Sequence, residues 1–337
     1  MNYNLLGNTG LKVSELCLGT MTFGGRGIWT AIGTLPQDAV DELVKRSVEA
    51  GINFIDTANV YSEGVSEQMT GTAIRNLGLK RDDLILATKV RGKVGDGPNQ
   101  IGLTRKHILH QVEESLRRLQ TDYIDLYQIH GYDALTPLEE TLYALDQLVS
   151  SGKVRYIGCS NLAAWHIMKA LSISDIKGYS RFVSLQAYYT IAGRDIEREI
   201  VPLLLDQKLG LMVWSPLAGG LLSGKYNRNT NPEEGRRINF DFPPVNKERA
   251  YDIIDVMQEI AQARGVSVAR VALSWVLHQP AVSTVIIGTK TPQQLDDNLS
   301  AIDLPLDPAE LKKLDAVSKL APEYPGWMLE RQGGDRK

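Results

Sequence analysis

Eight short apolar runs punctuate the chain, at residues 15–18, 53–56, 84–89, 126–130, 154–160, 182–186, 211–215 and 282–287. Between them lie amphipathic stretches of helical length, at 36–50, 67–77, 104–119, 137–150, 163–171, 196–207 and 249–264. Strand-length runs that alternate with helical patterns predict parallel strand pairing through right-handed crossovers. Eight such units favour a closed (β/α)8 barrel over an open doubly wound sheet. Ahead of them, NYNLLGNTGLKVSELCLG holds the turn signal Asn8-Thr9-Gly10 between two short runs, which predicts a small hairpin before the first main strand. Thr104, three residues before His107, reads as the N-cap of the helix ILHQVEESLRRL. Gly51, Gly152 and Gly210 stand where helices should stop before the next strand. Three segments exceed the repeat: an extra helix at 267–278, a long polar loop at 227–244, and a tail after a helix at 308–319. Long loops in a compact domain are functional or mobile more often than filler.

Composition narrows the picture by exclusion. No linker or composition break divides the 337 residues, so one domain over 1–337 is expected. A formal charge of −3 with interleaved signs leaves no basic footprint, so no nucleic-acid partner is expected. MNYNLLGNTG has no apolar signal core, and no run approaches the roughly 18 apolar residues of a membrane span. The expectation is a soluble cytoplasmic protein with no membrane partner. Cys17 and Cys159 lack CxxC or Cys/His spacing, so they read as buried thiols, and no metal site is expected.

In a parallel barrel the chemistry collects at the carboxyl ends of the strands. The residues that close the apolar runs are Asp56, Lys89, His130, Ser160-Asn161, Gln186, Ser215 and Gly288. Singly, an Asp after a strand is usually a cap or turn residue, and a Lys or His there is usually solvated. Jointly they would bring an acid, a base and an imidazole to one barrel mouth, with Tyr61 five residues beyond Asp56. A phenol is a poor acid at neutral pH. An ammonium about 4 Å away favours phenolate by on the order of 4 kcal/mol at an effective dielectric of 20, or roughly three pKa units. Tyr61 could then act as a general acid, Asp56 could hold Lys89 charged, and His130 could donate a hydrogen bond to a substrate oxygen. This set suits protonation of an oxygen that gains charge as hydride adds to a carbonyl. No GxSxG elbow, Cys beside a His, or second carboxylate paired with Asp56 appears, so hydride must come from a cofactor. The stretch GGRG at 24–27 lies in a loop with no helix start behind it and is no dinucleotide fingerprint.

Seven segments in order, GTMTFGG (19–25), NFIDTANVY (53–61), ATKV (87–90), LYQIH (126–130), GCSN (158–161), WSPLAGGLLSGKY (214–226) and IIGTKTPQQLDDNL (286–299), strongly resemble the aldo-keto reductase superfamily. The resemblance runs from about residue 3 to about residue 328. It implies a (β/α)8 barrel that holds NADP(H) across its carboxyl end and acts on a small-molecule carbonyl or alcohol. It further implies that Tyr61 is the general acid, that Asp56 and Lys89 tune it, and that His130 orients the carbonyl. By the same resemblance Thr20, Met21 and Asp56 should lie by the nicotinamide ribose. Ser160, Asn161 and Gln186 should bond its carboxamide, and Trp214 should stack on its ring. The phosphates should be covered by Ser215, Pro216, Leu217 and Gly219, with Gly220, Gly224 and Lys225 completing that segment. Gly288, Lys290 and Gln294 should stand near the 2′-phosphate, and Asp297 and Asn298 at the adenine. Many relatives carry arginine where Gln294 stands, so NAD(H) stays open beside NADP(H), with Lys290 a source of the charge. Arg236 and Arg237 are either further phosphate ligands or a solvated pair.

Three readings compete. The first is an NADPH-dependent carbonyl reductase. The second is a regulatory module like the channel-associated β-subunits of this superfamily; that group has asparagine at the position of His130, which favours turnover here. The third is a Schiff-base lyase with Lys89 as nucleophile, against which Asp56 argues by keeping Lys89 charged. Pocket walls are expected from the loops holding Trp29, Tyr61 and Tyr132 and from the tail, where either Trp327 and Met328 close over the mouth or the segment PEYPGWMLERQ simply packs on the barrel.

Overall fold

The computed structural model describes residues 1–228 and 236–334. The N-terminal hairpin is present, with β1 (Tyr3–Leu5) antiparallel to β2 (Lys12–Ser14). Eight parallel strands follow: β3 (Leu16–Gly19), β4 (Phe54–Asp56), β5 (Ile85–Val90), β6 (Ile124–Ile129), β7 (Val154–Ser160), β8 (Phe182–Tyr188), β9 (Gly210–Trp214) and β10 (Val282–Ile287). They close as a barrel in sequence order, with β10 pairing back onto β3.

The crossover helices are α1 (Gln37–Glu49), α2 (Val65–Asn76), α3 (Arg105–Leu119), α4 (Leu138–Ser150), α5 (Ala164–Lys177) and α6 (Ile200–Gln207). After β9 come the short α7 (Arg236–Asn239), α8 (Lys247–Arg264) and α9 (Val268–Leu277), and after β10 come α10 (Pro292–Leu299), α11 (Pro308–Ser318) and α12 (Gly326–Gly334). The Thr104 hydroxyl accepts the His107 amide at 3.3 Å and caps α3. Gly210 does not terminate a helix: it opens β9, and α6 ends instead at Lys208 with φ +55°. The stretch 196–207 is likewise broken, because a 3-10 turn over Asp195–Glu197 precedes α6.

Alternation along each strand sends one set of side chains into the barrel and the other toward the helices. The outward set joins the helices' apolar faces in the main core, including Leu18, Ile55, Leu86, Tyr127 and Ile157. The inward set is a second, smaller core of Cys17, Phe54, Ile85, Ala87, Leu126, Met212 and Ile286, joined by Leu6 and Val13 of the hairpin segment. The hairpin is tied to the start of β10, where Asn4 donates to the Ser283 carbonyl at 3.0 Å. Apolar side chains thus fill the amino end of the barrel interior. Toward the carboxyl end the same inward rows become polar at Asp56, Lys89, Gln128 and Gln186, all buried.

Candidate active site

The polar layer is one hydrogen-bonded unit. Lys89 is fully buried, and its Nζ donates to Asp56 Oδ2 at 2.5 Å, to the Thr57 carbonyl at 2.8 Å and to Tyr61 Oη at 3.2 Å. The second carboxylate oxygen of Asp56 accepts from Gln186 Nε2 at 2.9 Å and from Gln128 Nε2 at 3.1 Å. Burial alone would drive Lys89 toward its neutral form, but the facing Asp56 and Tyr61 outweigh it and leave its pKa raised. A charged ammonium is therefore presented to the tyrosine hydroxyl.

The chain beyond β4 delivers that hydroxyl. The Thr57 and Asn59 amides donate to the Ala87 and Lys89 carbonyls at 2.9 and 3.2 Å, so the segment leans on β5 before it turns at Tyr61. The Tyr61 ring stands edge-on to Trp29 at 5.2 Å and to His130 at 5.8 Å. His130 lies one residue past β6, its amide bonded to the Val90 carbonyl at 2.9 Å. Desolvation, reinforced by the positive charges of Lys89 and Arg91, lowers its pKa to about 3. The imidazole is accordingly neutral at ordinary pH, a hydrogen-bond donor rather than a cation.

Tyr61, His130 and Asp56 face a cavity of about 640 Å³ at the barrel mouth. Lys89 sits behind it. Around the same cavity are Thr20, Met21, Ser160, Asn161, Gln186, Trp214, Ser215, Pro216, Leu217, Gly219, Lys225, Gly288, Lys290, Gln294, Asp297 and Asn298. The closing residues of the strands and two distant loop segments therefore converge. Several of these side chains are already engaged: Asn161 accepts Trp214 Nε1 at 3.0 Å and donates to the His130 carbonyl at 3.2 Å. Asp297 takes Arg270 Nε and Ser267 Oγ, each at 2.7 Å. The Gln294 carbonyl oxygen accepts the Lys290 amide at 2.9 Å.

The geometry explains two glycines and corrects three sequence expectations. Gly219 lines the cavity, and a Cβ there would lie 2.5 Å from the Phe242 carbonyl oxygen, so a crossing chain segment requires the glycine. Gly224 is similarly packed against Val268, whereas Gly220 faces open space. Arg237 is neither solvated nor available: it is buried, donates to the Ala218 and Pro243 carbonyls at 2.7 and 3.0 Å, and pairs with Asp241. The side chain of Arg236 lies outside the described residues. Tyr132 is absent from the main cavity and stacks on His166 at 4.0 Å in a separate hollow of about 210 Å³. Trp327 and Met328 do not line the mouth either, since α12 has no buried residue and Trp327 is 43% exposed.

Sequence reasoning missed Gln128, Phe240 and Phe242. Gln128 stands two residues before His130, hence on the same face of β6, and that parity was the available signal. Phe240 and Phe242 line the cavity from the long loop, with Phe242 parallel to Trp214 at 5.8 Å; nothing local marked them.

Comparison with known proteins decides the family. A model described as Aldo/keto reductase family matches residues 15–319. The chain belongs to the aldo/keto reductase family. This aldo/keto reductase is 38% identical to the uncharacterized oxidoreductase YrpG of Bacillus subtilis, over 94% of this chain and 96% of the relative. It is 34% identical to the versiconal hemiacetal acetate reductase of Aspergillus parasiticus, over 94% and 96% of the two chains. It is also 35% identical to a probable voltage-gated potassium channel subunit beta of Arabidopsis thaliana, over 96% and 99%. Membership makes the aldo/keto reductase an oxidoreductase of the carbonyl-reducing class. Among its described residues no helix is long and apolar enough to cross a membrane.

Proposed function

We propose that this protein is an NADPH-dependent reductase of aldehydes and ketones, running in either direction, with Tyr61 as the proton donor. One observation carries the reading: Asp56, Lys89 and Tyr61 form an unbroken hydrogen-bonded chain that ends at a hydroxyl facing the cavity beside a neutral His130. Lys89 stabilises the phenolate left when Tyr61 gives up its proton. His130, as a neutral donor, fixes the carbonyl oxygen within reach of that hydroxyl and adds no competing acid. Asp56, shared with Gln128 and Gln186, keeps the ammonium charged and aimed. A nicotinamide cofactor, when bound, supplies or accepts the hydride.

The cavity fits such a cofactor on two observations. Ser160 Oγ is buried against the cavity with no partner among the described residues, a vacant hydrogen-bonding position for a carboxamide. At the other end Gly220 and Gly288 face open space, and the exposed Lys225 and Lys290 supply positive charge suited to phosphates. Ser160, Asn161 and Trp214 would hold the nicotinamide end, Ser215 to Leu217 with Lys225 the pyrophosphate, and Gly288, Lys290, Gln294, Asp297 and Asn298 the adenosine end.

The test is NADPH absorbance with a panel of aldehydes, ketones and quinones, run beside NADH. Activated aromatic aldehydes are expected to be consumed, and Tyr61→Phe should lose at least about 10²-fold to 10⁴-fold in turnover while still binding NADPH. Equal rates in the two proteins would remove Tyr61 from the role. The second reading, a nicotinamide-binding regulatory module, draws on the Arabidopsis relative's name. Cofactor binding with no turnover across the panel would favour it.

A further inference from the structure

The turn that presents Tyr61 is held in a backbone conformation that its own residues disfavour. Ser62, Glu63 and Gly64 follow one another with φ of +48°, +57° and +88°. Two consecutive residues with side chains in the left-handed region persist only where the surroundings impose it. Ser62 Oγ donates to the Phe23 carbonyl at 2.9 Å, and the Glu63 amide to the Val60 carbonyl at 3.1 Å. At Gly64 an added Cβ would lie 2.9 Å from Arg118 Cδ, so the arginine stem rests directly on bare backbone.

Arg118 is itself pinned. Its Nε donates to Glu67 Oε2 at 2.6 Å, and Glu67 is fully buried near the start of α2. The other oxygen of that carboxylate accepts Thr88 Oγ1 at 2.5 Å. Thr88 precedes Lys89 on β5, so one side chain points back to Glu67 while the next points into the barrel toward Tyr61. Ser66, just before Glu67, donates to the Thr20 carbonyl at 2.8 Å, so the start of α2 is tied to the end of β3 as well.

We propose that Glu67 and Arg118 are positioning residues that set the 3.2 Å separation between the Tyr61 hydroxyl and the Lys89 ammonium. The buried carboxylate ties β5 to the Tyr61 turn through Thr88 on one oxygen and Arg118 on the other. The proposal rests on the reading of Tyr61 as proton donor. Neither residue faces the cavity, so both act through the pair they hold apart.

The experiment uses Glu67→Gln and Arg118→Lys in the full chain, with turnover, NADPH affinity, melting temperature and the phenolate absorbance of Tyr61 as readouts. The last is obtained as parent minus Tyr61→Phe across a pH titration in the absence of cofactor. The expected result is a fall in kcat of about ten- to a hundredfold with the NADPH Kd within about twofold, since a displacement near 1 Å can cost about 10²-fold. The Tyr61 titration should move to higher pH as the ammonium recedes, and Arg118→Lys should keep more activity than Arg118→Met. A lower melting temperature with unchanged kcat per folded molecule and an unchanged titration would overturn the proposal, leaving the pair a purely structural one. If the parent protein consumes no NADPH, the function reading fails, while the titration still reports the Tyr61–Lys89 separation and decides this one. Should single variants not fold, Glu67→Gln with Arg118→Met removes both charges together and gives the same titration readout.

Discussion

The two ends of the cavity are built on opposite principles. At the barrel axis, Asp56, Lys89, Gln128 and Gln186 are at most 3% exposed and share a handful of short hydrogen bonds. At the far end, Lys225, Gly288, Lys290 and Gln294 are exposed; the first three come from loops after β9 and β10, and Gln294 from the first turn of α10. Buried charge is stable only while each group keeps its partner, so the axial end concentrates function in residues that cannot be changed singly. Exposed charge is screened by water, so under the proposed function the distal end would spread its hold on a cofactor over many weak contacts. A single substitution should thus be severe at one end and mild at the other.

The largest effect is expected at Lys89. Lys89→Met leaves the Asp56 carboxylate buried without its cation, a loss of about 3–5 kcal/mol in stability, and it also removes the group that favours phenolate at Tyr61. Denaturant melts should show the loss directly. Adding Asp56→Asn to Lys89→Met should recover most of the stability and none of the turnover. A Lys89→Met protein as stable as its parent would erase the contrast between the two ends.

His130 tests the axial end through pH. Its folded pKa lies near 3, below the ordinary value of about 6.5, because burial and the nearby Lys89 and Arg91 disfavour the imidazolium. Between those values the unfolded chain binds a proton that the folded chain refuses, so stability falls as pH drops through that window. His130→Gln removes this liability. Relative to the parent, the variant should gain stability on going from about pH 7 to about pH 4.5, as read by melting temperature. A constant difference across that range would mean that the imidazole is better solvated than its surroundings indicate.

The same contrast governs what could be read from the chain alone. All eight barrel strands were legible because each is a short apolar run bounded by turn residues, and Asp56, Lys89 and His130 stood out because they interrupt such runs. The true strand ends differ by a residue or two: Lys89 is the penultimate residue of β5, and Gln186 lies two before the end of β8. Helix α10 was hidden inside the segment read as a cofactor motif. Gln128 escaped notice since an uncharged amide within an apolar run looks like tolerance rather than purpose. Glu67 and Arg118 were invisible for another reason. Each reads locally as a solvated position on an amphipathic helix, and their partners stand 21 and 51 residues away. Nor does any local signal mark Ser62 and Glu63 as left-handed, since neither is Gly or Asn. Arg237 looked like a loop cation because its partners Ala218 and Pro243 meet only when the loop folds over β9's exit.

The mildest change should be Gln294→Arg at the distal end. Gln294 is exposed, at the first turn of α10, and its side-chain oxygen accepts the Lys290 amide at 2.9 Å. An arginine there cannot accept that bond, and an exposed backbone amide can be satisfied by water at little cost. In return the guanidinium offers a bidentate partner to a phosphate, which at a solvated position is worth on the order of 1 kcal/mol, or about fivefold. The NADPH Kd should therefore tighten by about that factor at low salt, while the NADH Kd stays put because that cofactor has no 2′-phosphate. The gain should shrink as ionic strength rises, since the contact is open to solvent. Equal tightening for both cofactors would place the charge near the pyrophosphate instead. A gain that resists salt would mean that this end is less exposed than the axial contrast requires.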